Sequence, residues 1–220
     1  MELATDASPG YAAGLPPEPP PQPVFAIAGS RLQLLDTGPR RLDALLELIA
    51  GARHSLRLLY YIYSDDAVGV RVRDAMIAAV ERGVAVTLIV DGLGSDPAYD
   101  RDFFAPLRAA GGRVCFFVPR WGRRYLLRNH QKIALADGES DDARIIIGGF
   151  NIQDDYFGAP GSDGWRDLGL LVAGPTAARM TGYFDALWHW TLHPRAPMGS
   201  AAASVRRAAS AAAPPARSIA

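Results

Sequence analysis

The 220-residue sequence predicts an α/β fold, a mixed β-sheet flanked by helices, and three observations carry that prediction. Apolar runs of strand length alternate with amphipathic stretches of helix length through the middle of the chain. Glycine or proline marks many of the junctions between them. The composition, 49% hydrophobic and 21% charged, is that of one soluble globular domain with enough apolar side chain for a core.

The elements follow in chain order. Residues 1–23 are proline-rich and poor in bulky apolar side chains, so a disordered leader is expected there. The folded part is expected to span 24–193, and 194–220, mostly Ala, Ser, Pro and Arg, to be a disordered tail. "SRLQLLD" from Ser30 reads as a strand. "PRRLDALLELIAGA" from Pro39 reads as a helix with Leu42, Leu45, Leu46 and Ile49 on one face. "HSLRLLYYIY" from His54 is a buried strand, and "AVGVRVRDAMIAAVERG" a helix closed by Gly83. "VAVTLIVDG" is a second buried strand. "DRDFFAPLRAAGG" is a short helix that Pro106 weakens. "RVCFFVP" is a strand carrying the single cysteine, Cys115, read as a buried thiol; no disulfide can form within the chain. "KIALAD" and "ARIIIGG" read as a strand pair, "DLGLLVAG" as another strand, with antiparallel pairing open to these later strands. "PTAARMTGYFDALWHWTL" closes the domain as one helix with Pro175 in its first turn.

Net charge is formally zero, so no global field draws the protein to nucleic acid or anionic lipid. Phosphate affinity must come from a local cluster, and "RWGRRYLLRNHQK" supplies one. It holds Arg120, Arg123, Arg124, Arg128 and Lys132 with no acid among them. Trp121 and Tyr125 between the arginines suit a membrane interface or a nucleic-acid strand alike. No apolar run approaches the ~20 residues of a membrane span, and the N-terminus lacks the pattern of a secretory signal. A lipid substrate would then be met at a membrane surface.

Rare residues mark the chemistry. Of 23 lysines and arginines one is lysine, Lys132, two positions after His130. The only asparagines are Asn129, beside that histidine, and Asn151, in "GGFN". On an extended chain residues i and i+2 face one side, so His130 and Lys132 can reach one ligand. An imidazole beside an ammonium is a poor metal site but suits a phosphoryl group: the imidazole attacks phosphorus and the ammonium neutralises non-bridging oxygens. In a chain that otherwise uses arginine, a lysine here suggests that a compact cation is needed where a broad fork does not fit. In "GGFN" the glycines let backbone approach a ligand, and the Asn151 amide can donate to a phosphate oxygen.

The spacing His130-x-Lys132-x4-Asp137 followed by Gly148-Gly149-x-Asn151 resembles the signature of the phospholipase D superfamily. "YYIYSDDAVG", "RGVAVTLIVDGLGS", "RNHQK", "GGFNIQDDYFG", "WRDLGLLVAGP" and "FDALW" resemble the first half of bacterial cardiolipin synthases, over roughly Arg31 to Trp190. The resemblance implies a phospholipase D-like catalytic half domain over 24–193, an α/β/α sandwich. It implies phosphatidyl transfer in two steps with no metal or other cofactor. A histidine forms a phosphohistidine, and a second histidine, from a second copy of the motif, protonates the leaving alcohol and later activates the acceptor. By the same resemblance the catalytic set is His130, Lys132, Asp137 and Asp167. His130 matches the nucleophile, and Lys132, Gly149 and Asn151 match the phosphate-binding positions. Asp167 matches the carboxylate that holds the nucleophile's other ring nitrogen. Asp137, the motif's own aspartate, is taken as supporting structure. The implied partners are a phospholipid diester and either a homodimer mate or a separate motif-bearing half. The implied location is cytoplasmic, peripheral at the inner face of the membrane.

Two departures stand out. Ten residues, "GESDDARIII", separate Asp137 from Gly148, more than the family's usual pattern, so a longer hairpin turn is expected, with strand register at stake. No second His-x-Lys exists in this sequence, because Lys132 is the only lysine; His54, His189 and His193 read as structural. Three functional readings stand: a cardiolipin synthase-type phosphatidyltransferase needing a second motif, a homodimeric phosphodiesterase or nuclease, and an inactive half. Asp65, Asp66, Asp154 and Asp155 would repel a polyanion, which weighs against nucleic acid.

Overall fold

The computed structural model describes residues 22–92, 94–95, 102–117, 129–158 and 163–193. The expected tail, nearly all of the expected leader, and the basic-loop residues Arg120, Trp121, Arg123, Arg124, Tyr125 and Arg128 lie outside the described residues.

Eight strands form one sheet: β1 (Val24–Ile27), β2 (Ser30–Leu35), β3 (Ser55–Tyr60), β4 (Ala85–Asp91), β5 (Arg113–Phe117), β6 (Ile133–Ala136), β7 (Arg144–Gly148) and β8 (Gly169–Ala173). Their spatial order is β1-β2-β8-β7-β6-β3-β4-β5. β3, β4 and β5 run parallel, and every other pairing is antiparallel. The parallel strands are joined through α2 (Ala67–Glu81) and α3 (Ala105–Ala109), the crossover that parallel pairing requires. The sheet is therefore mixed, as the alternation of patterns predicts.

Helices cover both faces. α1 (Gly38–Ala50), α2 and α3 bury one apolar cluster, with Leu45, Leu48 and Ile49 of α1 against Leu56, Leu58, Ala134 and Ile146 of the sheet. Each fully buried aliphatic side chain contributes roughly 1.5–3 kcal/mol. The short α4 (Pro175–Ala178) and α5 (Thr181–Leu192) cover the second cluster, where Phe184 and Trp190 meet Leu59, Ile89, Leu135 and Ile145. α2 starts where Asp66 accepts the Gly69 N–H at 2.9 Å, an N-cap. Cys115 is half-buried in β5, and burial raises its pKa.

Several local expectations change. The α1 stripe buries Leu48 fully and Leu46 only in part, and it also buries Arg41. Pro106 lies in the first turn of α3, where its missing N–H costs nothing, so it starts that helix and does not weaken it. The closing helix is two helices, α4 and α5, turning at Arg179–Met180; the Thr181 hydroxyl donates to the Gly138 carbonyl at 2.8 Å and fixes the new direction. β1 was not expected. The ten-residue spacer leaves the β6–β7 register regular, Ile133 opposite Ile147 and Ala136 opposite Arg144, because the extra residues sit in the turn.

Among the described residues no helix is long and apolar enough to cross a membrane.

Candidate active site

The motif residues do not all gather at one place. His130 and Lys132 lie just before β6, Gly149 and Asn151 just after β7, and Asp167 just before β8. Ile133, at the start of β6, pairs with Leu59 near the carboxyl end of β3. All these residues therefore sit along the sheet edge where the parallel strands end, the usual ligand edge of such sheets. Asp137 follows β6 at the opposite edge, seven positions from His130 or roughly 23 Å along an extended chain.

His130 and Lys132 precede the regular strand, so their common orientation is made locally and not by sheet pairing. The Asn129 side chain accepts the Gln131 N–H at 3.1 Å, a turn that projects His130 outward. The Tyr183 hydroxyl of α5 donates to the Gln131 side-chain carbonyl. His130 is exposed, and Lys132 is buried beneath it at 4% exposure. The Lys132 Nζ donates to the His130 carbonyl at 2.8 Å and stands 2.9 Å from His130 Nδ1. An ammonium can only donate, so that contact uses the Nδ1 lone pair. Tyr61 backs both groups: its ring centroid is 4.4 Å from the imidazole and 5.4 Å from the Lys132 Nζ. Burial lowers the Lys132 pKa, and the Asp167 carboxylate pulls it back toward its ordinary value.

The pair opens on a depression of about 590 Å³ in the face of the sheet not fully covered by α4 and α5. Its walls are largely apolar, with Leu34, Ile147 and Leu168 among the exposed large hydrophobic residues of the protein.

The other positions behave differently. A Cβ at Gly149 would lie 2.5 Å from Asp167 Oδ1, so only glycine lets the carboxylate rest on this backbone. Asp167 accepts its neighbour Leu168's N–H at 2.7 Å and makes no hydrogen bond to His130 among the described residues. The expected carboxylate–imidazole contact is thus replaced by lysine against Nδ1. Asn151 is buried at 2% exposure and does not line the depression. Its Oδ1 accepts the Ile62 N–H at 3.1 Å and its Nδ2 donates to the Tyr156 hydroxyl at 2.9 Å, so it ties the end of β3 to the turn at Asp154–Tyr156. Asp137, placed in the catalytic set by resemblance, accepts the backbone N–H groups of Arg53, His54 and Ser55 at 3.1, 2.7 and 3.1 Å. Burial pushes its pKa up, and those three donors outweigh it and hold the carboxyl below the usual range. It is a structural clamp on the entry to β3, remote from the imidazole.

Sequence reasoning missed Arg41, Tyr61 and Tyr156. Arg41 had a signal: it precedes Leu45 by four and Leu48 by seven, on the apolar stripe of α1, where an arginine has to find partners.

A family model described as the phospholipase D-like domain of cardiolipin synthase matches residues 45–188. Cardiolipin synthase 1 of Bacillus anthracis is 35% identical over 161 residues, 71% of this chain and 31% of that protein. The major cardiolipin synthase ClsA of Bacillus subtilis is 34% identical over 167 residues, 74% of this chain and 34% of that protein. The chain spans about a third of the length of these curated relatives. Among solved structures, a phosphatidylserine synthase from Haemophilus influenzae Rd KW20 superposes with TM-score 0.55 at 14% identity, covering 86% of this chain and 45% of that one. Nuc, a phospholipase D family member from Salmonella typhimurium, superposes with TM-score 0.53 at 18% identity, covering 73% of this chain and 91% of that one. At these identities the structural likeness is one of fold.

Proposed function

The chain belongs to the family of cardiolipin synthase phospholipase D-like domains, and on that premise we propose that it is the nucleophile-bearing half of a phosphatidyltransferase. The observation that carries the proposal is the His130–Lys132 contact at the mouth of an apolar-walled depression. A diester oxygen entering there offers the Lys132 ammonium an anionic acceptor and releases the imidazole lone pair. A ring nitrogen of His130 attacks phosphorus, the bond to the leaving alcohol breaks, and a phosphohistidine remains. The acceptor alcohol then attacks phosphorus, its proton passes to a base, and His130 leaves. Lys132 spreads the negative charge that builds on the phosphoryl oxygens in both steps. Asp167, beside Gly149, supplies the opposing carboxylate field, and Asn151, bonded to Ile62 and Tyr156, braces the turn behind the site.

The acid that protonates the leaving alcohol comes from a second His-x-Lys motif, on a second copy of this chain or on a separate motif-bearing half, since this sequence holds one lysine. The apolar walls support an acyl-bearing diester over a nucleic acid, and the acids Asp65, Asp66, Asp154 and Asp155 add to that preference. In this reading residues 24–193 are the catalytic half and it works in the cytoplasm, peripherally at the inner membrane face.

The test is to incubate the protein with phosphatidylglycerol vesicles and, separately, with single-stranded DNA, and to measure its size in solution. Transfer or release of a phosphatidyl group, lost in His130→Ala, is the expected result. Cleavage of DNA alone, or lipid turnover that survives His130→Ala, overturns it.

A further inference from the structure

We propose that Arg41 is a positioning residue of this site, holding the Asp167 segment and the Asn151–Tyr156 clip in register from the first turns of α1. The proposal rests on the roles given above to Asp167 and Asn151.

Arg41 is 2% exposed, on a helix face otherwise apolar. Its Nη1 donates to the Asp167 carbonyl and, at 3.4 Å, to the Asp36 carbonyl; its Nη2 donates to the Tyr156 carbonyl at 2.6 Å. The Phe150 ring centroid lies 5.7 Å from the guanidinium carbon. One planar fork thus grips three segments: the end of β2, the turn after β7 and the approach to β8. Two of its acceptors belong to residues of the site. The Tyr156 hydroxyl accepts from Asn151, and the Asp167 carboxylate rests where a Cβ at Gly149 would stand. Close backbone packing reinforces the junction: a Cβ at Gly38 would lie 2.1 Å from the Gly158 carbonyl oxygen, so α1 presses directly on this chain segment.

A lysine could not replace this arrangement, because a point cation has no fork with which to span separate carbonyls. A residue that merely filled the core would not need an arginine. Burial lowers the Arg41 pKa, and the Asp167 and Asp36 carboxylates counter it, so the site keeps its cation through its own acids. One buried nitrogen, Nε, has no protein partner, a cost the other contacts offset.

Lys132 reports on the result, because it faces Asp167 and is the only lysine in the chain. Lysine carrying carbon-13 at Cε gives one NMR signal, whose titration reads the field of Asp167 at the site with no assay of activity. The charged and titratable neighbours facing it are His130, Tyr61 and Asp167. Asp167→Asn sets the reference: the Lys132 midpoint falls, because an opposite charge that raised it is lost. Arg41→Met is expected to lower it as well, and to lower it no further in the Asp167→Asn background. If Arg41 were only a nearby cation, its removal would raise the midpoint. A rise, no change, or a fall that persists undiminished without the Asp167 carboxylate overturns the proposal. Should Arg41→Met not fold, Arg41→Gln is read by the same rule. A failed lipid-transfer assay leaves this titration untouched, and an unmoved titration leaves the lipid-transfer assay untouched, so the two readings fail separately.

Discussion

Replacing Asp137 with alanine removes the acceptor for three backbone N–H groups at the entry to β3, with donor distances of 2.7 and 3.1 Å for His54 and Ser55 and 3.1 Å for Arg53. The carboxylate is buried. Leaving each without a partner costs roughly 1–2 kcal/mol, and partial hydration at the sheet edge returns some of it, so the loss is about 3–4 kcal/mol. For a domain of this size that lowers Tm by about 10 °C. Asp137→Asn keeps one acceptor oxygen and loses the charge, so it should fall between alanine and wild type. The acid dependence has a defined sign. The folded state holds the Asp137 carboxyl below its ordinary value, so its stabilisation is complete above that ordinary value and fades as pH drops through the folded one. Urea unfolding of wild type and Asp137→Ala should therefore differ by a constant amount from pH 7 to 5 and converge below about pH 4. A variant that melts within about 2 °C of wild type at pH 7, or a gap that widens in acid, would refute the clamp.

Gly149→Ala places a methyl carbon 2.5 Å from Asp167 Oδ1, which forces the carboxylate off its seat; we expect phosphatidyl transfer to fall at least tenfold while Tm moves little, checked by parallel kinetics and calorimetry. Asp66→Ala removes the N-cap of α2 and the acceptor for the Asp154 N–H at 2.8 Å, and should cost about 1–2 kcal/mol in urea unfolding, the range measured for lost caps.

Much of the fold was legible because its signals are local. The apolar runs at Ser55–Tyr60 and Ala85–Asp91 are buried on both faces and read as strands without any tertiary knowledge. β1 was not legible: Val24, Phe25 and Ile27 are all exposed, so its pairing with β2 leaves no pattern of burial to find. The break between α4 and α5 was hidden for a related reason. Ala178, Met180, Tyr183 and Phe184 carry apolar residues across the break, and what turns the chain is a contact with Gly138, more than forty positions away. At the site, the rarity of lysine and asparagine drew attention to Lys132 and Asn151, and both side chains are buried. Spacing alone could not tell that Asn151 spends its amide on Ile62 and Tyr156, or that Asp137 faces the far edge, since both facts depend on which neighbours arrive from elsewhere in the chain.

The long turn after β6 makes the far edge of the sheet a separate workplace. Glu139 from that turn accepts from the Ser55 hydroxyl at 2.6 Å and pairs with Arg57, while Asp141 and Asp142 are exposed, Asp142 within 3.8 Å of the Arg53 guanidinium. A short peptide tag or fluorophore spliced between those two aspartates would ride on a rigid hairpin at the opposite pole from the histidine. Surface tethering, or distance measurements to an arriving second half, could then proceed with the reacting rim unobstructed.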